Sequence, residues 1–187
     1  MHEGKKRRLS RSFAEDGNAV IRFKTTNTNM PKRFEGLNNP GHVISKVTSS
    51  GADALLTTLG TLRTSIEEFR SSAIIMSVES YPIHYEEIIK QALRYDVDMV
   101  KVMVYPFSEE DPDNVWNFQK LAMMADKWNL PIMAEVFPGG FNAGPEWKSI
   151  EKFSTALRVV AEMGADVIKT YFLDVDDSED YRSVLEY

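Results

Sequence analysis

Apolar positions along this chain follow two periods. Short β-branched and aromatic runs at residues 19–23, 54–58, 73–77, 99–105, 131–137 and 167–172 read as six strands. Between them apolar residues recur at three and four, predicting helices over 42–50, 83–95 and 115–128, and from Ser149 to a stop at Gly164. The stripe of the third is Phe118, Leu121, Ala122 and Ala125, behind a cap at Asp113. The stripe of the fourth is Phe153, Leu157, Val160 and Ala161. In the second, Ile88, Ala92 and Tyr95 share a side. Gly164 suits the left-handed residue that ends a helix. Shorter helices are expected in the N-terminal segment 1–17, through Phe69 behind a Ser65 cap, and after Asp176 or Ser178.

Three of the helix-to-strand junctions resemble one another: Gly51-Ala-Asp-Ala-Leu-Leu, Tyr95-Asp-Val-Asp-Met-Val-Lys and Gly164-Ala-Asp-Val-Ile-Lys. Repeated units of this kind imply an α/β fold with parallel strands and right-handed crossovers. Strand one is not followed by a Gly-x-Gly-x-x-Gly loop, which favours a (β/α)8 TIM-barrel type over a dinucleotide-binding sheet. About six βα units are present in one domain over residues 1–187. A full barrel takes about 250 residues, so the barrel is expected to be incomplete, with strands seven and eight missing. The alternative is a flavodoxin-like binding module. It would need a phosphate loop after strand one, where Thr25 to Asn29 lie in a long polar stretch, residues 24–40.

Composition narrows the function classes. The chain has 187 residues and a net charge of −6, which gives no general case for nucleic acid or an anionic membrane surface. It has no cysteine, hence no disulfide or thiolate chemistry, and its three histidines are scattered. The run Lys5-Lys-Arg-Arg8 reads as the solvated face of a terminal helix whose apolar side is Leu9, Phe13 and Ala14. The acidic stretch 174–180 reads as a solvated loop and helix start, and Trp116, Trp128 and Trp147 as packing or loop anchors. No apolar run is long enough to span a bilayer, and the N-terminus lacks the apolar segment of a secretory signal, so a cytoplasmic protein is expected.

Strands four, five and six each carry one charged residue in an apolar run: Lys101, Glu135 and Lys169. Charges buried in such runs must pair, snorkel or neutralise. Side chains alternate along a strand, so an inward Lys101 brings Met103 with it, and an inward Lys169 brings Val167 and Tyr171. At the carboxyl ends of barrel strands these groups would face an active site. A second cation beside Lys169 would favour its neutral, nucleophilic form, and Glu135 would move protons during carbinolamine formation and carbon–carbon cleavage. The structural alternative is a Lys–Glu–Lys ion network without chemistry.

The segments Lys5 to Arg11, Phe13-Ala-Glu-Asp-Gly17, Gly51 to Thr58 and above all Ala161 to Phe172 resemble class I aldolases of the DeoC/FbaB/LacD superfamily. That superfamily includes archaeal-type fructose-bisphosphate aldolase, thiolase-type relatives and tagatose-bisphosphate aldolase. The resemblance implies that Lys169 is the Schiff-base lysine, acting on a phosphorylated ketose such as fructose 1,6-bisphosphate. It matches Lys101 and Glu135 to the strand-four lysine and strand-five glutamate of the tagatose-bisphosphate branch. It implies no metal or cofactor, a sugar-phosphate substrate as the partner, and leaves a homo-oligomer open. Three departures stand beside it. Lys24-Thr-Thr-Asn27 replaces the aspartate motif that ends strand one, Phe137-Pro-Gly-Gly140 replaces a tyrosine-bearing motif after strand five, and the phosphate-holding loops of strands seven and eight are missing. An inactive or fragmentary homologue is the alternative that these departures support.

Overall fold

Each expected strand has a counterpart in the computed structural model, which describes residues 1–13, 21–22, 39–79 and 84–173. The strands are β1 (Ile21–Arg22), β2 (Ala54–Thr57), β3 (Ala73–Val78), β4 (Met99–Val104), β5 (Ile132–Val136) and β6 (Val167–Lys169). The helices are α1 (Glu3–Ser12), α2 (Pro40–Ser49), α3 (Leu59–Ser65), α4 (Tyr85–Arg94), α5 (Asn114–Lys127) and α6 (Ile150–Glu162). Within the sheet the order is β1-β2-β3-β4-β5-β6. It never reverses, as a doubly wound sheet must at its switch point, so the flavodoxin-like alternative falls and the architecture is that of an incomplete (β/α) barrel. The loop at 24–38 and the helix expected after Asp176 or Ser178 lie outside the described residues.

The residues form two compact units. The first comprises Met1–Val78, Glu86–Val100 and Lys127–Pro131. Here β2 runs parallel to β1 and β3, with Leu55 opposite Ile74 and Leu56 opposite Ile75. Its core holds Ile44, Leu55, Leu62, Phe69, Ile75 and Met99, all essentially without solvent contact. The second comprises Glu79–Tyr85, Lys101–Asp126 and Ile132–Tyr187. There β5 and β6 run parallel with Met133 opposite Val167 and Glu135 opposite Lys169. The expected stripe of α5 (Phe118, Leu121, Ala122, Ala125) is buried, as are Phe153, Leu157 and Val160 of α6. Ser149 caps α6 by accepting the Lys152 N–H, and Gly164 ends that helical segment at φ +107°.

Several local expectations change. Ser65 makes no cap hydrogen bond; the helix starts earlier, with Thr58 accepting the Thr61 N–H. The basic run is only partly solvated. Lys5 is buried, Arg8 donates to the Val97 carbonyl at 2.7 Å, and Arg11 pairs with the buried Asp98 at 2.7 Å. Positions 5, 8 and 12 share a face of α1, so polar residues join the half-buried Leu9 and Phe13 in docking it. Trp116 is 57% exposed on α5 instead of packed. The residues of β6 are half-buried to exposed, and among the described residues it pairs with β5 alone.

The junction repeat has a physical basis. Ahead of strands β2, β3, β4 and β6 sit Gly51, Arg70, Asp96 and Gly164 at φ +81°, +52°, +48° and +107°. Ahead of β5 stands Asn129 at +55°. Each reverses the chain in the left-handed region, which glycine enters freely and Asn and Asp tolerate. Two residues later comes a latch. The Asp98 carboxylate accepts the Ile74 N–H at 2.9 Å, and Asp166 accepts the Ile132 N–H at 2.9 Å. Ser72 donates to the Ala52 carbonyl at 2.7 Å. These contacts fix where one strand starts against its neighbour. Asp166→Ala is expected to cost about 1–3 kcal/mol, the penalty for stranding a buried N–H, read as a lower denaturant midpoint with an unchanged slope. A loss below about 0.3 kcal/mol would contradict the latch.

Candidate active site

The three charged residues singled out in the sequence meet in the second unit. The register of β5 against β6 places Glu135 beside Lys169 on adjacent strands, so their side chains leave the same face. One carboxylate oxygen of Glu135 binds the Lys169 ammonium, and the other lies 2.6 Å from Lys101 Nζ. A single carboxylate thus bridges two ammonium groups. Burial works to raise the Glu135 pKa, but hydrogen bonds and charge from Lys101 and Lys169 outweigh it and hold the group below its ordinary range.

Exposure separates the two lysines. Lys101 is 1% exposed and Lys169 is 45% exposed. The buried amine is a fixed charge behind the carboxylate, and the exposed one is within reach of a ligand. The half-buried character of β6 is what opens it. Beyond Lys169 the Thr170 hydroxyl donates to the Val136 carbonyl at 3.1 Å and fixes the chain as it leaves the strand.

Aromatic residues follow these three along the chain, Tyr105 after Lys101, Phe137 after Glu135 and Tyr171 after Lys169. Phe137 packs against Tyr105 (6.4 Å between centroids), Phe141 (5.4 Å) and Tyr171 (6.0 Å). Tyr171 also packs on Phe153 of α6 at 5.2 Å. The loop after β5 turns through Gly139 and Gly140, at φ +76° and +115°. The Trp147 indole stacks on Phe107 at 5.9 Å, with Lys152 Nζ 4.6 Å from its centre. A Cβ at position 139 would stand 2.5 Å from that indole, so glycine is required there for space as well as for φ. Trp147 is the loop anchor expected of it. Among the described residues no three of His, Cys, Asp and Glu converge as metal ligands would, and no helix is long and apolar enough to cross a membrane.

Sequence reasoning missed the buried polar group that holds the end of β4 at Tyr105. The Tyr105 N–H donates to Asn114 Oδ1 at 2.6 Å, and Asn114 Nδ2 donates to Asp111 at 2.9 Å. The Asp111 N–H donates in turn to the Ser108 hydroxyl at 3.2 Å.

Such an arrangement of an accessible amine, a carboxylate in contact with it and a second buried amine is suited to carbonyl chemistry through an imine. Comparisons with known proteins place the chain among aldolases. The chain is 31% identical over 126 residues to an uncharacterized aldolase of Pasteurella multocida, covering 67% of this chain and 35% of that one. It is 28% identical over 130 residues to the 3-hydroxy-5-phosphonooxypentane-2,4-dione thiolase of Enterobacter sp., covering 65% of this chain and 43% of the thiolase. Among solved structures, an archaeal fructose 1,6-bisphosphate aldolase superposes with a TM-score of 0.74 at 18% identity, covering 97% of this chain and 75% of that one. The chain therefore spans less than half the length of these two curated relatives. Its fold is that of the archaeal aldolase's barrel, and the family model of the DeoC/LacD aldolases matches residues 19–183, nearly the whole chain, so the protein belongs to the DeoC/LacD family of aldolases.

Proposed function

We propose that this protein is a class I aldolase that cleaves and forms a carbon–carbon bond in a phosphorylated ketose, such as fructose 1,6-bisphosphate, through an imine on Lys169. The observation that carries the reading is the unequal exposure of the two lysines bridged by Glu135. Lys169 contacts both solvent and a carboxylate able to take its proton, so it is the nucleophile. Glu135 accepts that proton and returns one as the carbinolamine loses water. Lys101 helps keep Glu135 ionised. The reading carries with it a cytoplasmic setting, where phosphorylated sugars are kept. The sugar itself is the finer part of the proposal, because the relatives include a thiolase and a heptanoate synthase as well as aldolases.

The test is inactivation. Dihydroxyacetone phosphate followed by borohydride should abolish aldol turnover irreversibly, while borohydride alone should not. A second reading, an aldolase scaffold without chemistry, draws on Phe137-Pro-Gly-Gly140 standing where the resembled aldolases carry a tyrosine-bearing motif. It expects folded protein with neither turnover nor adduct.

A further inference from the structure

The basic run that opens the chain does more than dock α1. Arg8 is held by the Val97 carbonyl, and Arg11 by Asp98 at 2.7 Å and Asp96 at 3.3 Å. Arg7 is exposed, and among the described residues its guanidinium has no partner. Docking therefore accounts for two of these arginines and leaves the third without a task.

Gly4, Arg7, Arg8 and Arg11 recur at three and four along α1 and so share a face. With Ser10 they line a cavity of about 540 Å³ in the first unit. Among the described residues this lining carries no carboxylate. Asp96 and Asp98 open instead into a separate cavity of about 370 Å³, of whose lining Arg11 alone is shared with the first. We infer that the arginine-lined cavity binds the phosphate group of a small phosphorylated molecule. It has no residue in common with the Lys101–Glu135–Lys169 group, and the assignment stands apart from the Lys169 reading.

A guanidinium offers paired N–H donors that match two phosphate oxygens. Docking uses Nη1 of Arg8, and Nε and Nη1 of Arg11. That leaves Nη2 of each, and all of Arg7, to a ligand. Charge points the same way. Three guanidiniums against the carboxylates of Asp96 and Asp98 leave a modest positive excess, suited to one phosphate. The whole protein carries −6, which opposes nucleic acid and anionic membrane. Small-molecule sites typically enclose about 300–1,000 Å³, so this cavity has room for the rest of a ligand beyond its phosphate. Its place is also informative. Arg8 and Arg11 meet Val97 and Asp98 just ahead of β4, at the amino end of that strand. Barrel chemistry occupies the carboxyl ends, so this is a second site and not part of the first.

The test titrates the full chain with inorganic phosphate at constant ionic strength, followed through the Nε–H NMR signals of isotope-labelled arginine. The Arg7, Arg8 and Arg11 signals should move together on one saturable curve, the same in Lys169→Met. Arg7→Gln removes no docking contact, so it should keep the fold and weaken phosphate binding on the order of 10–100-fold, the worth of a charge-assisted hydrogen bond. Chloride should leave the signals in place. Unchanged affinity in Arg7→Gln, no saturation, or an equal response to chloride would overturn the assignment. So would a DNA oligonucleotide or phosphatidylserine vesicles moving the same signals at a lower concentration of phosphate groups, since the occupant would then be a macromolecule.

Discussion

Lys169→Met is expected to lose aldol turnover by on the order of 10⁶-fold, the scale on which removal of a covalent nucleophile acts. Methionine fills nearly the same volume, and the lysine is 45% exposed, so the fold should bear the change. Lys101→Met should behave differently. That side chain is 1% exposed and has no route to substrate, so imine formation on Lys169 should persist, slowed on the order of 10²-fold. Parallel steady-state and single-turnover kinetics of the two variants separate the roles. Equal collapse of both would show that the lysines act as one unit, and unchanged turnover in Lys169→Met would remove it as nucleophile.

Glu135→Gln is expected to damage stability as well as rate. The amide keeps the shape but ends the charge that bridges Lys101 and Lys169. Breaking one side of a buried ion pair typically costs about 3–5 kcal/mol, because the remaining ammonium stays out of water. The pH dependence has a definite sign. The native carboxylate is more acidic than in the unfolded chain, so its contribution is fully present above the ordinary carboxylate range and is lost as pH falls through its lowered native value. Denaturation profiles of parent and variant should therefore diverge at neutral pH and converge in acid. A gap that stays constant from neutral to acidic pH would show that the carboxylate's charge plays no part in stability.

The periodicity of the chain located the elements well because burial sets it directly. Phe118, Leu121, Ala122 and Ala125 could face only one way, and all four are buried. The three charged residues were legible for the converse reason: a lysine or glutamate inside an apolar run is costly unless something answers it. Junction chemistry was legible only where glycine or the Asp repeat marked it. Arg70 takes a positive φ without a comparable signal. Its neighbours' needs, not its own preference, set that geometry.

Other features depend on the assembled fold. The ion pair of Arg11 with Asp98 joins α1 to the start of β4, 87 residues along, and no local pattern announces such a pairing. The exposure of Lys169 goes with β6 pairing, among the described residues, with β5 alone, which a hydrophobic run cannot reveal. The hold on the end of β4 at Tyr105 escaped notice because its members, Asn114, Asp111 and Ser108, read as ordinary turn and capping residues until their hydrogen bonds are traced.

The most direct test of the central claim is peptide mapping of the protein after dihydroxyacetone phosphate and borohydride. The account expects one reduced adduct, on the peptide carrying Lys169, absent from Lys169→Met and present in Lys101→Met. An adduct on Lys101 instead, or none on folded protein, would contradict it.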